Sequence, residues 1–174
     1  VILNEPPSMS PISISKLNEE TADFIMTESV ILSANDSPTA HIIEVGVDDP
    51  DGVSVVQAKM GRLAPIGSSE KWLSLNDVGE NGDRIAGDGI YTMTFEARSS
   101  LGPGLIDINI RALDIYQSMT PLSEQSHQLN IERDSSVSGS SWFNGNMQII
   151  AILLTTFVAL AGMGVLIRVF MSNE

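Results

Sequence analysis

The chain has no cysteine, only 5% aromatic residues, two histidines, and nine Lys and Arg against 22 Asp and Glu. Without cysteine there is neither a disulfide framework nor a thiolate metal site, and redox usage says nothing about compartment. Scarce aromatics with 14 glycines and eight prolines favour short elements joined by turns over long helices. The net charge of -13 argues against a basic patch for nucleic acid or anionic lipid headgroups, so no nucleic-acid partner is expected. His41 and His127 each lack a second His or Cys at metal-ligand spacing. No glycine-rich phosphate cradle is present, and Gly67–Ser69 lacks the glycine pattern of a nucleophile elbow. No residue is nominated as catalytic, and the chain is not expected to be an enzyme.

Charge is also missing throughout Ile149–Ile167, where most residues are large aliphatics. As a helix this run would cover about 28 Å, close to the ~30 Å hydrocarbon thickness of a bilayer. Trp142 and Phe143 precede it where interfacial aromatics sit, and Arg168 follows it where a cation can reach headgroups. The run predicts one C-terminal transmembrane α-helix over residues 147–170, with the lipid bilayer as partner. A four-residue tail, 171–174, follows. Thr155 and Ala159 place small residues on one face, a candidate contact for a weak helix-mediated homodimer. No charged side chain interrupts the run, which argues against a transport pathway. Residues 133–146 are rich in Ser and Gly and read as a juxtamembrane linker. Arg168 tilts the orientation toward an extracellular N-terminal domain and a cytoplasmic tail. Val1 opens the sequence without a signal segment, so the chain is expected to be the C-terminal part of a larger protein.

Ahead of the linker, about 130 residues suffice for one domain. Residues 1–7 read as an inter-domain joint or the end of a preceding domain. Within 8–132, Ile12 and Ile14 alternate with serines, and residues 23–33 form a second strand region closed by Asn35–Pro38. Residues 41–47 and 53–60 flank the turn Asp48–Gly52 and predict a hairpin-like pair. Trp72 opens a short strand and is expected in the core or between sheets. Residues 90–97 and 105–113 follow, the latter with Ile106, Ile108 and Ile110 alternating against Asp107, Asn109 and Arg111. Residues 128–132 complete the set. Seven to eight short strands with turns about every ten residues predict an all-β fold, an antiparallel β-sandwich in which each sheet buries one face.

Asp77–Gly89 concentrates carboxylate and amide oxygens between glycines, and calcium takes six to eight oxygens on a tightly turning backbone. Asp77, Asn81, Asp83 and Asp88 are the candidate metal ligands. On a twelve-residue calcium loop, Asp77 takes the first position, Asn81 the fifth, Gly82 the glycine and Asp88 the last. Gly79 stands where a ligand is usual, Asp88 replaces the long Glu, and flanking strands contradict a helix–loop–helix frame. The other reading remains open: Asp, Asn and Gly build consecutive tight turns by accepting backbone N–H groups.

The stretch from Trp72 through Leu75, Asp77, Gly79, Gly82, Asp83, Ala86, Gly87, Asp88 and Gly89 to Ile90 and Tyr91 carries the pattern D-x-G-x-x-G-D-x-x-A-G-D-G-I-Y. It resembles a stretch found in immunoglobulin-like or fibronectin-III-like modules of prokaryotic surface proteins. A looser version occurs in the β-sandwich region of calcium-activated chloride channel regulators. Val45–Gly52 and Ala112–Tyr116 resemble strand ends of such modules, Tyr116 departing from the usual glycine one step later. The resemblance covers roughly residues 8–132 and implies an immunoglobulin-like fold outside the cell. It specifies no ligand, because that fold hosts many functions.

Together these features predict a non-catalytic, membrane-anchored extracellular module serving as a surface stalk, adhesion or sensory ectodomain, with an extracellular protein or carbohydrate as partner. The alternative is a spacer or accessory domain of a membrane-tethered enzyme whose catalytic part lies upstream of Val1.

Overall fold

The computed structural model describes residues 4–35 and 37–134. Among them the chain is all-β, as expected. The elements are β1 (Ser8–Met9), β2 (Ser13–Leu17), β3 (Phe24–Thr27), β4 (Val30–Leu32), β5 (Thr39–Asp48), β6 (Val53–Lys59), a 3-10 turn (Gly61–Leu63), β7 (Leu73–Leu75), β8 (Ile90–Ala97), β9 (Gly104–Asp114), a one-turn helix α1 (Leu122–Gln125) and β10 (Ser126–Arg133).

One five-stranded sheet centres on β5, which pairs with β8 along one edge and with β1 and β2 along the other; β3 pairs with β2 beyond. Along that second edge Ser8 faces Asp48 and Met9 faces Val47, but Ser13 faces Glu44. The register has slipped by one residue at Pro11, which has no N–H to give a ladder. The other sheet runs β4-β10-β9-β6-β7.

Ile43, Val45, Val47 and Phe95 of the first sheet and Val56, Ala58, Ile108, Ile110, Leu129 and Ile131 of the second belong to one buried cluster. Full burial of such a side chain contributes about 1.5–3 kcal/mol. That fixes the register of β9, since a one-residue slip would carry Asp107 and Asn109 into the core in place of Ile106, Ile108 and Ile110.

Several expectations are corrected. Among the described residues there are ten strands rather than seven to eight, because the sequence pattern leaves β1 in a loop and merges β4 with β3. Residues 23–33 are two strands, with β3 in the first sheet and β4 in the second; the chain crosses between sheets at Glu28–Ser29. β4 runs parallel to β10, Val30 opposite Ile131, so the pairing is not purely antiparallel. β5 and β6 are not a hairpin, for Asp48–Gly52 carries the chain from one sheet to the other. Asp49 accepts the N–H groups of Asp51 (2.8 Å) and Gly52 (3.0 Å) through Oδ1, and this makes the corner. Trp72 is only partly buried and lies beneath the Arg111 guanidinium, 4.0 Å from ring to cation, on the outward side of β9 rather than in the core.

No helix among the described residues is long and apolar enough to cross a membrane. The expected span at 147–170, with Thr155 and Ala159, the tail 171–174, and residues 135–146 of the expected linker lie outside the described residues.

Candidate metal centre in the loop 77–89

Just after β7, Asn76 exchanges backbone hydrogen bonds with Thr92 of β8 (3.0 and 2.8 Å). The loop 77–89 is therefore pinned at both ends against the first sheet. Ile42, on the β5 face turned away from the core cluster, is nonetheless fully buried. Gly82 is what covers it: a Cβ there would stand 2.8 Å from Ile42 Cγ2 and 3.3 Å from Thr94 Cγ2, with φ at +98°. Only glycine permits this approach and this backbone.

The acidic residues hold the loop in that shape. Asp77 Oδ1 accepts the N–H groups of Gly87 (2.6 Å) and Asp88 (3.2 Å), and Oδ2 accepts that of Gly89 (3.0 Å). Asp83, almost fully buried, accepts from Gly79 (2.6 Å) through Oδ2 and from Ile85 (3.2 Å) through Oδ1. Asp88, exposed, accepts from Ile90 at 2.9 Å. Each of these carboxylates thus has backbone donors of its own without a cation.

The same geometry brings three of the four expected ligands together. One carboxylate oxygen from each of Asp77, Asp83 and Asp88 lies within 4.8 Å of the others. Asn81 occupies a turn position, exposed and with φ of 56°. The donors suit a hard cation in kind, but three carboxylates fall short of the six to eight oxygens calcium takes, the balance falling to backbone carbonyls or water. Tyr91 adjoins this charge: burial, and then the Asp77 carboxylate, push its phenol pKa up.

Two other polar centres were not nominated from sequence. His41 is fully buried and stacked on Phe95 at 5.4 Å. Its Nε2 accepts the Ile31 N–H at 3.1 Å, and its Nδ1 lies 3.1 Å from the Thr39 carbonyl, so the neutral ring carries its proton on Nδ1. Thr39 Oγ1 donates to the Ile31 carbonyl at 2.6 Å. Side chains of β5 thus satisfy both backbone groups of Ile31 in the edge strand β4 of the other sheet. Burial lowers the pKa of His41 to about 4; the Thr39 carbonyl opposes the shift and Lys16 adds to it.

At the end of β9, Asp114 is fully buried. It accepts from Tyr116 N (2.8 Å), Ser118 N (2.7 Å) and Asn4 Nδ2 (2.5 Å). Burial pushes its carboxyl up, but these donors outweigh it and hold the pKa below the usual carboxylate value. Asn4 also donates to Ser118 Oγ at 2.8 Å, so residues placed in the expected joint are tied to the domain. No signal in the sequence marks His41 as a clamp, because its partners are backbone groups. No family model and no curated protein matches the chain.

Proposed function

We propose that residues 8–132 form an immunoglobulin-like β-sandwich acting as a non-catalytic, in-line module of a surface protein held at the membrane by Ile149–Ile167. The observation that carries this reading is where the chain enters and leaves. Asn4 is bonded at the Asp114–Ser118 turn, beside which Ile115 N donates to Gly52 O. Asp134 N donates to Leu32 O at the other end, where Arg133 reaches Ser33 and Ser99. Between the two ends lies the length of β5, ten residues, or about 30 Å. Entry and exit at opposite ends suit a spacer that holds other parts of a protein away from a surface. The distal loops 48–52 and 114–118 are what such a module offers to an extracellular protein or carbohydrate.

The strand partition supports the immunoglobulin-like assignment. β2, β5 and β8 share one sheet while β6, β9 and β10 share the other, the arrangement of A, B and E against C, F and G in that fold. Protease treatment of intact cells, together with alkaline carbonate extraction of membranes, tests the placement. Loss of the domain from cells and retention of the chain in washed membranes are expected. A domain that survives in intact cells, or a chain that washes off, refutes the reading.

The gathered carboxylates favour calcium as a ligand of this module, bound through Asp77, Asp83 and Asp88. A ligand of the folded state at about 100 times its Kd stabilises by roughly 2.7 kcal/mol. Calcium is expected to raise the melting temperature, and Asp83→Ala or Asp88→Ala to abolish the shift. A melt indifferent to calcium and to chelator leaves the carboxylates as turn builders alone.

A further inference from the structure

Two strands that end a sheet differ in how their outer backbone groups are covered. In β4 those of Ile31 are taken by His41 and Thr39. The hairpin joining β2 and β3 fixes which groups of β3 face outward. Asn18 N donates to Asp23 O at 2.8 Å, and bonded pairs alternate along an antiparallel ladder. In the register of β2 and β3 the next bonded pairs are therefore Lys16–Ile25 and Ile14–Thr27. Phe24 and Met26 turn their N–H and C=O groups to the open edge, where they meet no partner among the described residues.

Side-chain devices that commonly close an edge are missing from this strand: Phe24–Thr27 holds no proline, lysine or other charge. Met26 is 73% exposed and Ile25 52%. The two faces beside the edge differ. Ile25 and Thr27 line a hollow with Glu19, Glu20, Glu96 and Asp134, in which the one lysine, Lys16, is already 3.8 Å from Asp134. Phe24, on the other face with Met26, lines a second hollow with Gly82 and Arg84 of the loop 77–89. From Leu17 to Val30 the chain carries four carboxylates and no Lys or Arg.

We propose that the open edge of β3 receives an extended segment of a partner protein as a further strand, and that this segment alternates Lys or Arg with aliphatic residues. An extended chain is what offers N–H and C=O groups at the spacing of Phe24 and Met26. The alternation follows from the two faces. Every second side chain of the added strand falls beside the hollow of Glu19, Glu20, Glu96 and Asp134, and the others fall beside Met26. A second copy of β3 fits poorly, because it sets two such acidic surfaces side by side. The edge is available wherever the domain is placed, so docking does not depend on the anchor.

The test uses the full chain in non-ionic detergent and two synthetic peptides, Arg-Val-Arg-Val-Arg-Val-Arg and its counterpart with Glu in place of Arg. Amide exchange read by NMR should slow at Phe24 and Met26 when the basic peptide is added, with Ile25 and Thr27, already paired to β2, unchanged. The acidic peptide should leave all four as they are. Met26→Pro removes an outward N–H and no bond within the sheet. It is expected to weaken binding of the basic peptide roughly 3–10-fold, the scale of one hydrogen bond, at an unchanged melting temperature. Glu20→Gln is expected to weaken it roughly 2–5-fold. No binding, protection at other amides, equal binding of the acidic peptide, or a folded Met26→Pro chain that binds as well as the wild type overturns the proposal; if Met26→Pro does not fold, the amide pattern of the wild type decides alone. Protection at Phe24 and Met26 that rises with protein concentration and needs no peptide makes the occupant a second copy and overturns it as well.

Discussion

Acid should loosen this domain through one residue. Folded, His41 binds a proton at about 4, against an ordinary histidine value of 6.5. Between those values the unfolded chain holds more protons than the folded one, so acid favours unfolding. The contribution is complete above pH 6.5, is lost as pH falls toward about 4, and is constant below that. A difference of 2.5 units between the two values corresponds to roughly 3 kcal/mol. The cause is local and geometric. Protonating Nε2 places a second N–H against the Ile31 N–H it had accepted, in a fully buried site. For a domain of this size the loss is a fall of roughly 10–15 °C in melting temperature. Burial lowers the pKa of His127 as well, adding in the same direction. The informative quantity is the difference between the wild type and His41→Gln, measured by urea unfolding from pH 7 to pH 4. The variant is less stable at neutral pH but should lack about 3 kcal/mol of the acid dependence. Parallel profiles for the two proteins would refute the reasoning.

Three further outcomes are expected. Gly82→Ala should cost roughly 2–4 kcal/mol in urea unfolding, because its methyl meets Ile42 at 2.8 Å, whereas Gly87→Ala, with nothing within 4 Å, should cost only the left-handed backbone penalty of about 1 kcal/mol. Asp77→Ala removes the acceptor of Gly87, Asp88 and Gly89 N–H groups and should destabilise by roughly 2 kcal/mol, with hydrogen exchange at those amides rising first. If a cation binds at Asp77, the phenol of Tyr91 loses the charge that helps raise its pKa, so phenolate absorbance should appear at lower pH with calcium than with chelator; superimposable titrations would exclude an ion at Asp77.

Much of the sheet was legible because period-two alternation is a local signal. Ile106, Ile108 and Ile110 declare the buried face of β9 whatever it packs against. Partnership was not legible. A Pro-Asp-Gly corner reads the same whether it returns the chain to its neighbour or passes it to the opposite sheet, and here it does the latter. The two short strands β3 and β4 merged into one because β-formers run nearly continuously across Glu28–Ser29, although the two halves bury themselves in different sheets. Trp72 was placed inward on its size, whereas the outward Arg111 decided where it lies.

The loop divides in the same way. Its composition named Asp77, Asp83 and Asp88 as candidates, since carboxylates between glycines can serve either a turn or a cation. That these three converge within 4.8 Å while each already accepts backbone N–H groups depends on the loop lying flat on Ile42. By itself the sequence determined the all-β character, the turn-rich acidic loop and the uncharged run at Ile149–Ile167, because each is a pattern among neighbours in the chain. Only the tertiary structure decided the crossing of β5 to β6, the clamp of Thr39 and His41 on Ile31, and the opposite placement of Asn4 and Asp134, because each depends on backbone groups brought together from distant parts of the chain.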